Sequence, residues 1–188
     1  MSGAALTFLS TMSILLTYEK VREWERDEAS AAKGPLPRAL YASRRVVRFC
    51  DLAMADGRER GDLDPCAQAE RVFDSYSTGD SFIRLGQTGK DPCFVKCEPS
   101  YPAGPHVWEM RTVDVRIFGW FPADPNSAFV AVEARRKADL VTANGATDRP
   151  RYDRIIKAVA WWRATAELHH YVWKGDEHGL RTSLKPNP

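Results

Sequence analysis

The chain has 188 residues, 44% of them hydrophobic and 28% charged, with a net charge of +2. That length holds one domain with a sizeable core and is short for two, and the balance is that of a soluble globular chain. The charge is uneven: residues 135–163 carry eight Lys/Arg against three Asp, an excess of +5, which leaves −3 for the rest.

The opening "MSGAALTFLSTMSILLTYEK" is apolar but rich in Ser and Thr. It lacks a positive n-region and a span of roughly 20 residues, so neither a signal peptide nor a membrane helix is expected. Met12 is an alternative start to Met1. Residues 14–20 predict a strand that runs into a helix, "KVREWERDEASAA", with Val21 and Trp24 on its buried side. Gly34, Pro35 and Pro37 break the chain. "PRALYASRRVVRFCDLAMADG" then predicts a second helix, with Leu40, Val47, Cys50 and Met54 at helical spacing and Gly57 as its stop. Arg44, Arg45 and Arg48 flank it. Residues 14–56 thus predict a strand plus a helical hairpin.

Residues 58–100 predict a β-rich insertion. "RERGDLDPCAQ" is a loop, and "RVFDSY", "SFIRLGQ" and "CFVKC" are short strands parted by Gly-containing turns. "EPSYPAGP" is a Pro/Gly loop. "HVWEMR" and "VDVRIFGWF" form a hairpin that turns near Thr112–Asp114. On its second strand Val113, Val115, Ile117 and Phe121 point one way, and Asp114, Arg116, Phe118 and Trp120 the other. After the turn "PADPNS", "AFVAVEA" is a third strand, and "RRKADLVTANGATDRP" is a basic, then polar, connection. "YDRIIKAVAWWRATAEL" is a helix with Ile155, Ile156, Val159 and Trp162 as its apolar stripe and Asp153 as a first-turn acid. The core strands and last helix span 106–168. The tail, 169–188, carries Tyr171, Val172 and Trp173 and is expected to pack over the sheet. The order predicts an α+β domain, with a meander sheet and helices on one side.

The cysteines, Cys50, Cys66, Cys93 and Cys97, form no C-x-x-C pair, and the histidines, His106, His169, His170 and His178, complete no zinc spacing. Free thiols in a reducing cytoplasm, with no metal and no cofactor, are the expectation. The basic segment points to a phosphate-bearing partner, with a solvated helix face as the alternative.

Four pieces in order, "VWEMR", "DVRIFGWF", "AFVAVEARRK" and "YDRIIKAVAWWR", resemble the RelE/HigB-like toxin superfamily of small cytoplasmic ribonucleases from toxin–antitoxin systems. The likeness covers residues 106–163 well and 14–56 more loosely. Residues 58–100 and the tail have no counterpart, and family members are shorter. The resemblance implies an antiparallel meander sheet with an N-terminal helical hairpin and a C-terminal helix packed on it. It implies metal-independent mRNA cleavage, on the ribosome, and an antitoxin protein as a partner. By motif, Arg111 matches the Arg of the family's "E-L-R" strand, Arg116 the Arg of the next strand, and Arg135, Arg136 and Lys137 the basic patch. Tyr152 matches a catalytic tyrosine ahead of the last helix, and Glu109 a Glu common in HigB-like members.

In RNA self-cleavage the 2′-hydroxyl attacks the neighbouring phosphate. An enzyme removes the 2′-proton, stabilises the phosphorane and protonates the leaving 5′-oxygen. Arginines hold the non-bridging oxygens bidentately. Arg116 and Arg136 are the expected clamp, with Arg111 and Lys137 in support. Tyr152 is a base only if nearby positive charge lowers its pKa from about 10; His106 is the other base candidate. Arg135, His106, Arg151 and Arg154 are expected to touch RNA. Each residue also has a plainer role. Arg111 can pair with Asp114, Arg116 can stack on Trp120, Tyr152 and His106 can be structural, and Glu109 can serve as an ion-pair partner. Residues 135–137 can be a solvated loop. Trp161 and Trp162 suit base stacking, or else pack the helix on the sheet and rest under the tail. The departures from the family admit a second function: a non-catalytic scaffold from a phage or mobile element that binds and blocks a host protein or nucleic-acid complex.

Overall fold

The computed structural model describes residues 18–22, 38–55, 65–78, 94–97, 106–122, 125–126, 128–165 and 172–184. The alternative starts, the helix expected beyond Arg22, the run "SFIRLGQ" and the Pro/Gly loop before His106 lie outside these residues. Among those described, six strands form one mixed sheet: β1 (Tyr18–Arg22), β2 (Ala39–Ser43), β3 (Phe94–Cys97), β4 (Val107–Arg111), β5 (Val115–Trp120) and β6 (Ala128–Arg136), in the order β1-β2-β6-β5-β4-β3. The helices are α1 (Arg44–Ala55), α2 (Pro65–Thr78), α3 (Arg149–Thr165) and α4 (Glu177–Ser183), with a 3-10 turn at Lys137–Leu140.

The α+β class holds, and β3 to β6 form an antiparallel meander. The sheet as a whole is not antiparallel, because β2 pairs with β6 in parallel. A parallel neighbour needs a long crossover, and everything from α1 to β5 supplies it. The helices do not lie on one side either. Val46 of α1, Val72 and Tyr76 of α2 and Leu180 of α4 join Leu40, Ile117 and Phe129 in a first core. Ile155, Ile156 and Val159 of α3 join Tyr41, Phe118 and Val130 in a second core on the opposite face.

The N-terminal half departs most from expectation. Val21 and Arg22, expected in a helix, belong to β1. Residues 39–43 are a strand rather than the start of a helix. Leu40 and Ala42 enter the first core and Tyr41 the second, the alternation of a strand buried on both faces. Ser43 ends it: its hydroxyl accepts from the Val46 N–H at 3.3 Å and donates to the Val132 carbonyl at 2.6 Å. This is an N-cap, and α1 starts there. Pro65, in the stretch "RERGDLDPCAQ" expected as a loop, is the first residue of α2, where its missing N–H costs nothing. "RVFDSY" is therefore helical: Ala69, Val72, Phe73 and Tyr76 are buried at i, i+3, i+4 and i+7. Among the described residues, β2, α1 and α2 precede the meander. Of the expected insert strands, "CFVKC" is present as β3.

The core is aromatic. Phe121 packs against Phe94, Phe129 and Trp108 at ring separations of 5.0, 4.9 and 5.6 Å, spacings that add to simple burial. Trp173 of the tail closes this cluster, 5.5 Å from Trp108, while Val172 bridges to Pro122. The tail thus packs as expected, then forms α4, which was not foreseen; Asp176 caps it by accepting from the Gly179 N–H at 2.7 Å. Register shifts between Phe118 and Gly119, and a Cβ on Gly119 would lie 2.0 Å from the Val130 carbonyl oxygen. Only glycine lets the strands approach there.

Candidate functional site

The site starts from strand register. Arg111 lies opposite Arg116, and Arg116 opposite Arg135. One step along, Glu109 lies opposite Phe118, and Phe118 opposite Glu133. Alternation puts both rows on the face that carries the second core and α3. Three arginines therefore stand side by side across three strands, and behind them two glutamates flank an aromatic ring.

Both glutamates are buried, with side chains 2% and 6% exposed. An unpaired carboxylate so placed costs several kcal/mol. The Nε atoms of Arg111 and Arg116 each lie 2.9 Å from Glu109 Oε1. Arg135 and Arg45 hold the two oxygens of Glu133 at 2.6 and 3.1 Å. Four arginines against two glutamates leave a net +2 in this cluster. Glu109 is thus the ion-pair partner the sequence allowed. Arg111 pairs with it rather than with Asp114, which Gln68 of α2 occupies by donating from Nε2 at 2.9 Å. Thr112 Oγ1 donates to Gln68 Oε1 at 2.9 Å as well, so α2 pins the β4–β5 turn. Burial works against the Arg111 charge, but Glu109 outweighs it and raises its pKa.

The arginines differ in reach. Arg116 is 11% exposed, and its Nη1 also donates to the Thr112 and Val115 carbonyls. It pairs with Glu109 rather than simply stacking on Trp120. Arg111 and Arg135 are more accessible, 39% and 42% exposed. The expected Arg116–Arg136 clamp does not form on one face. Arg136 lies opposite Val115, and Val115 packs into the first core, so Arg136 leaves from the other side of the sheet. Arg135 and Arg136 are also strand residues, not a loop, because β6 runs two residues past "AFVAVEA". Lys137 is exposed at the start of the 3-10 turn.

Beside the arginine row is an open cleft of about 420 Å³, lined by Arg45, Glu133, Arg135, Asp139, Arg151, Arg154, Ile155 and Ala158. The structure therefore joins Arg135, Arg151 and Arg154 as expected and adds Arg45, Glu133 and Asp139. Arg151 is held by the Asp139 carbonyl and by Asp148 at 3.6 Å; Arg154 makes no ion pair among the described residues. Helix α3 starts at Arg149, where Asp148 accepts from the Arg151 N–H at 3.1 Å. Tyr152 is therefore inside the first turn, not ahead of it. Asp153 lies past that turn and pairs with Arg149 at 3.5 Å.

Tyr152 faces the row, its ring edge-on to Phe118 at 5.6 Å and its hydroxyl donating to Glu109 Oε1 at 3.4 Å. Burial and then Glu109 push its pKa up to about 12, against a smaller downward pull from Arg116 and Arg111. The condition for a tyrosinate base is not met; the phenol is a proton donor at neutral pH. His106 is not brought to the row. It precedes β4 at φ 47, in the left-handed region, and its carbonyl accepts from Arg163 at 3.4 Å. Five residues of strand, roughly 16 Å, separate it from Arg111. Val113, expected to turn inward, is exposed at the hairpin tip. Cys50, Cys66 and Cys97 form no disulfide among the described residues, and burial, followed by Glu109, raises Cys97 well above its usual pKa. No described helix is long and apolar enough to cross a membrane.

The raised Tyr152 pKa gives a pH signature. The unfolded chain loses this proton near pH 10, the folded one near pH 12. Stability from this group is full below pH 10 and falls as pH rises from 10 to 12. Tyr152→Phe is expected to flatten the alkaline loss of stability in that window and to remove a phenol that titrates near pH 12 from the ultraviolet titration. An unchanged titration would show that Tyr152 ionises with the others.

Comparisons with protein-family models, with curated proteins and with solved structures gave no match.

Proposed function

We propose that the α3 side of the sheet binds RNA phosphates, and that the chain is an RNA-binding protein of RelE/HigB-like design. The carrying observation is the register of Arg111, Arg116 and Arg135 across three adjacent strands. Strand spacing of about 4.8 Å makes this a row about 10 Å long, continued by Arg151 and Arg154 at the cleft. Arg116, 11% exposed, anchors the middle of the row on Glu109, and the partly exposed guanidinium forks at its ends, on Arg111 and Arg135, suit phosphate oxygens. The order β2, α1, α2, meander, basic segment, α3 supports the same reading. The resemblance makes translated mRNA the substrate class and an antitoxin the protein partner.

The proposal has a cleaving form, in which the chain is a metal-independent ribonuclease toxin. The 2′-oxygen bonds to phosphorus as its proton passes to water, the phosphorus–5′-oxygen bond breaks, Arg111 or Arg135 holds the equatorial oxygens, and Tyr152 protonates the leaving oxygen. That form uses water, rather than a positioned side chain, as acceptor of the 2′-proton. Tyr152 is protonated, His106 stands at the far end of β4, and Glu109 lies between two arginines. These observations favour the second form: a phage or mobile-element scaffold that occupies RNA, or a host complex containing it, without cutting.

Induced expression of wild type and of Arg111→Gln/Arg135→Gln in a bacterial host separates the forms. The cleaving form predicts growth arrest and new mRNA ends, both lost in the folded variant. The binding form predicts RNA retained on the purified wild type, with intact mRNA and retention lost in the variant. Intact mRNA and no retained RNA would overturn the proposal.

A further inference from the structure

Trp161 is 60% exposed on α3, whereas Trp108 and Trp120 are fully buried and Trp162 and Trp173 are partly covered. The sequence allowed it to rest under the tail, but the described tail packs on Trp108 and Phe121 instead. The ring is braced: Trp162 meets it edge-on at 5.3 Å, and the Arg45 guanidinium sits over Trp162 at 5.8 Å. Arg45 also lines the cleft. Arg154 and Trp161 are seven residues apart, two turns on one side of α3, which is about 10 Å. Ile155, Ala158 and Trp162 follow one another along the adjacent side. One groove edge therefore leads from an arginine-rich cleft to a solvent-facing indole.

We propose that a single strand of nucleic acid lies along this edge, with a base stacked on Trp161 and its phosphates on Arg135, Arg151 and Arg154. The inference rests on the RNA reading above and narrows it to unpaired strands. A flat indole offers its face to any exposed base, and paired bases do not present theirs. The charge fits the same occupant: four arginines against Glu133 and Asp139 give the cleft a net +2, suited to a polyanion rather than to an apolar helix.

The test uses the full chain and a labelled single-stranded RNA of about ten nucleotides. Fluorescence anisotropy and tryptophan quenching are read for wild type, Trp161→Ala, Trp161→Phe and Arg151→Gln/Arg154→Gln, with duplex RNA as a control. Trp161→Ala is expected to bind about tenfold more weakly with an unchanged salt slope. Trp161→Phe should stay within about threefold of wild type, because a ring still stacks. If Trp161→Ala binds like wild type while the arginine variant weakens, the phosphate reading stands and the stacking site falls. Duplex bound as well as single strand, with the same loss on Trp161→Ala, overturns the unpaired-base assignment. Binding by none of the four proteins overturns both readings.

Discussion

Replacing Arg116 by alanine is expected to cost the fold about 3 kcal/mol or more. Arg116 is 11% exposed and contacts a carboxylate that is 2% exposed. Deleting the guanidinium leaves Glu109 buried with Arg111 and the Tyr152 hydroxyl beside it, and Arg111 is 39% exposed and reaches Glu109 from the rim. Two carbonyl acceptors at the β4–β5 turn, on Thr112 and Val115, lose a donor as well. Glu109→Gln/Arg116→Ala should recover part of the loss, because a neutral amide needs no counter-charge. Denaturant unfolding of the single and double variants checks both statements. An Arg116→Ala midpoint equal to wild type would mean that Glu109 is not held as described. It also follows that loss of activity in an Arg116 variant reports folding first.

The second large effect falls on RNA affinity. Arg135→Gln/Arg151→Gln/Arg154→Gln removes three candidate phosphate contacts while leaving Arg111 and Arg116 on Glu109. For a single strand the slope of log K against log salt should drop by about 2, which amounts to about 50-fold in affinity near 0.15 M salt. Glu133 retains Arg45 in this variant, so the fold should tolerate it better than Arg116→Ala. A salt titration by anisotropy reads the slope directly. Weakening without a change of slope would assign these arginines to shape rather than to phosphate contact.

The meander and last helix were legible because their patterns are local. "VWEMR" and "DVRIFGWF" alternate, and Ile155, Ile156 and Val159 repeat at helical spacing. The opposite-face split at Arg136 is legible in strand alternation continued two residues past Ala134, which places Glu133 with Arg135 and sets Arg136 apart. The first half was hidden for a different reason. β2 is buried on both faces, so "ALYAS" shows no polar side and merges with the helix after it. Pro65 opens α2 rather than breaking the chain, a distinction made by whether an apolar period follows. The burial of Glu109 was not visible at all. It depends on α3 lying over the sheet, a long-range contact that no local spacing encodes. The same holds for the cleft, which draws on α1, β6 and α3 together.

Ultraviolet crosslinking of single-stranded RNA to the purified chain, followed by peptide mapping, tests the central claim most directly. The account predicts crosslinked peptides from the end of β6 and from α3, including Trp161, and their loss in the three-arginine variant. Crosslinks confined to the α1–α2 side of the sheet, or none at all, would contradict it.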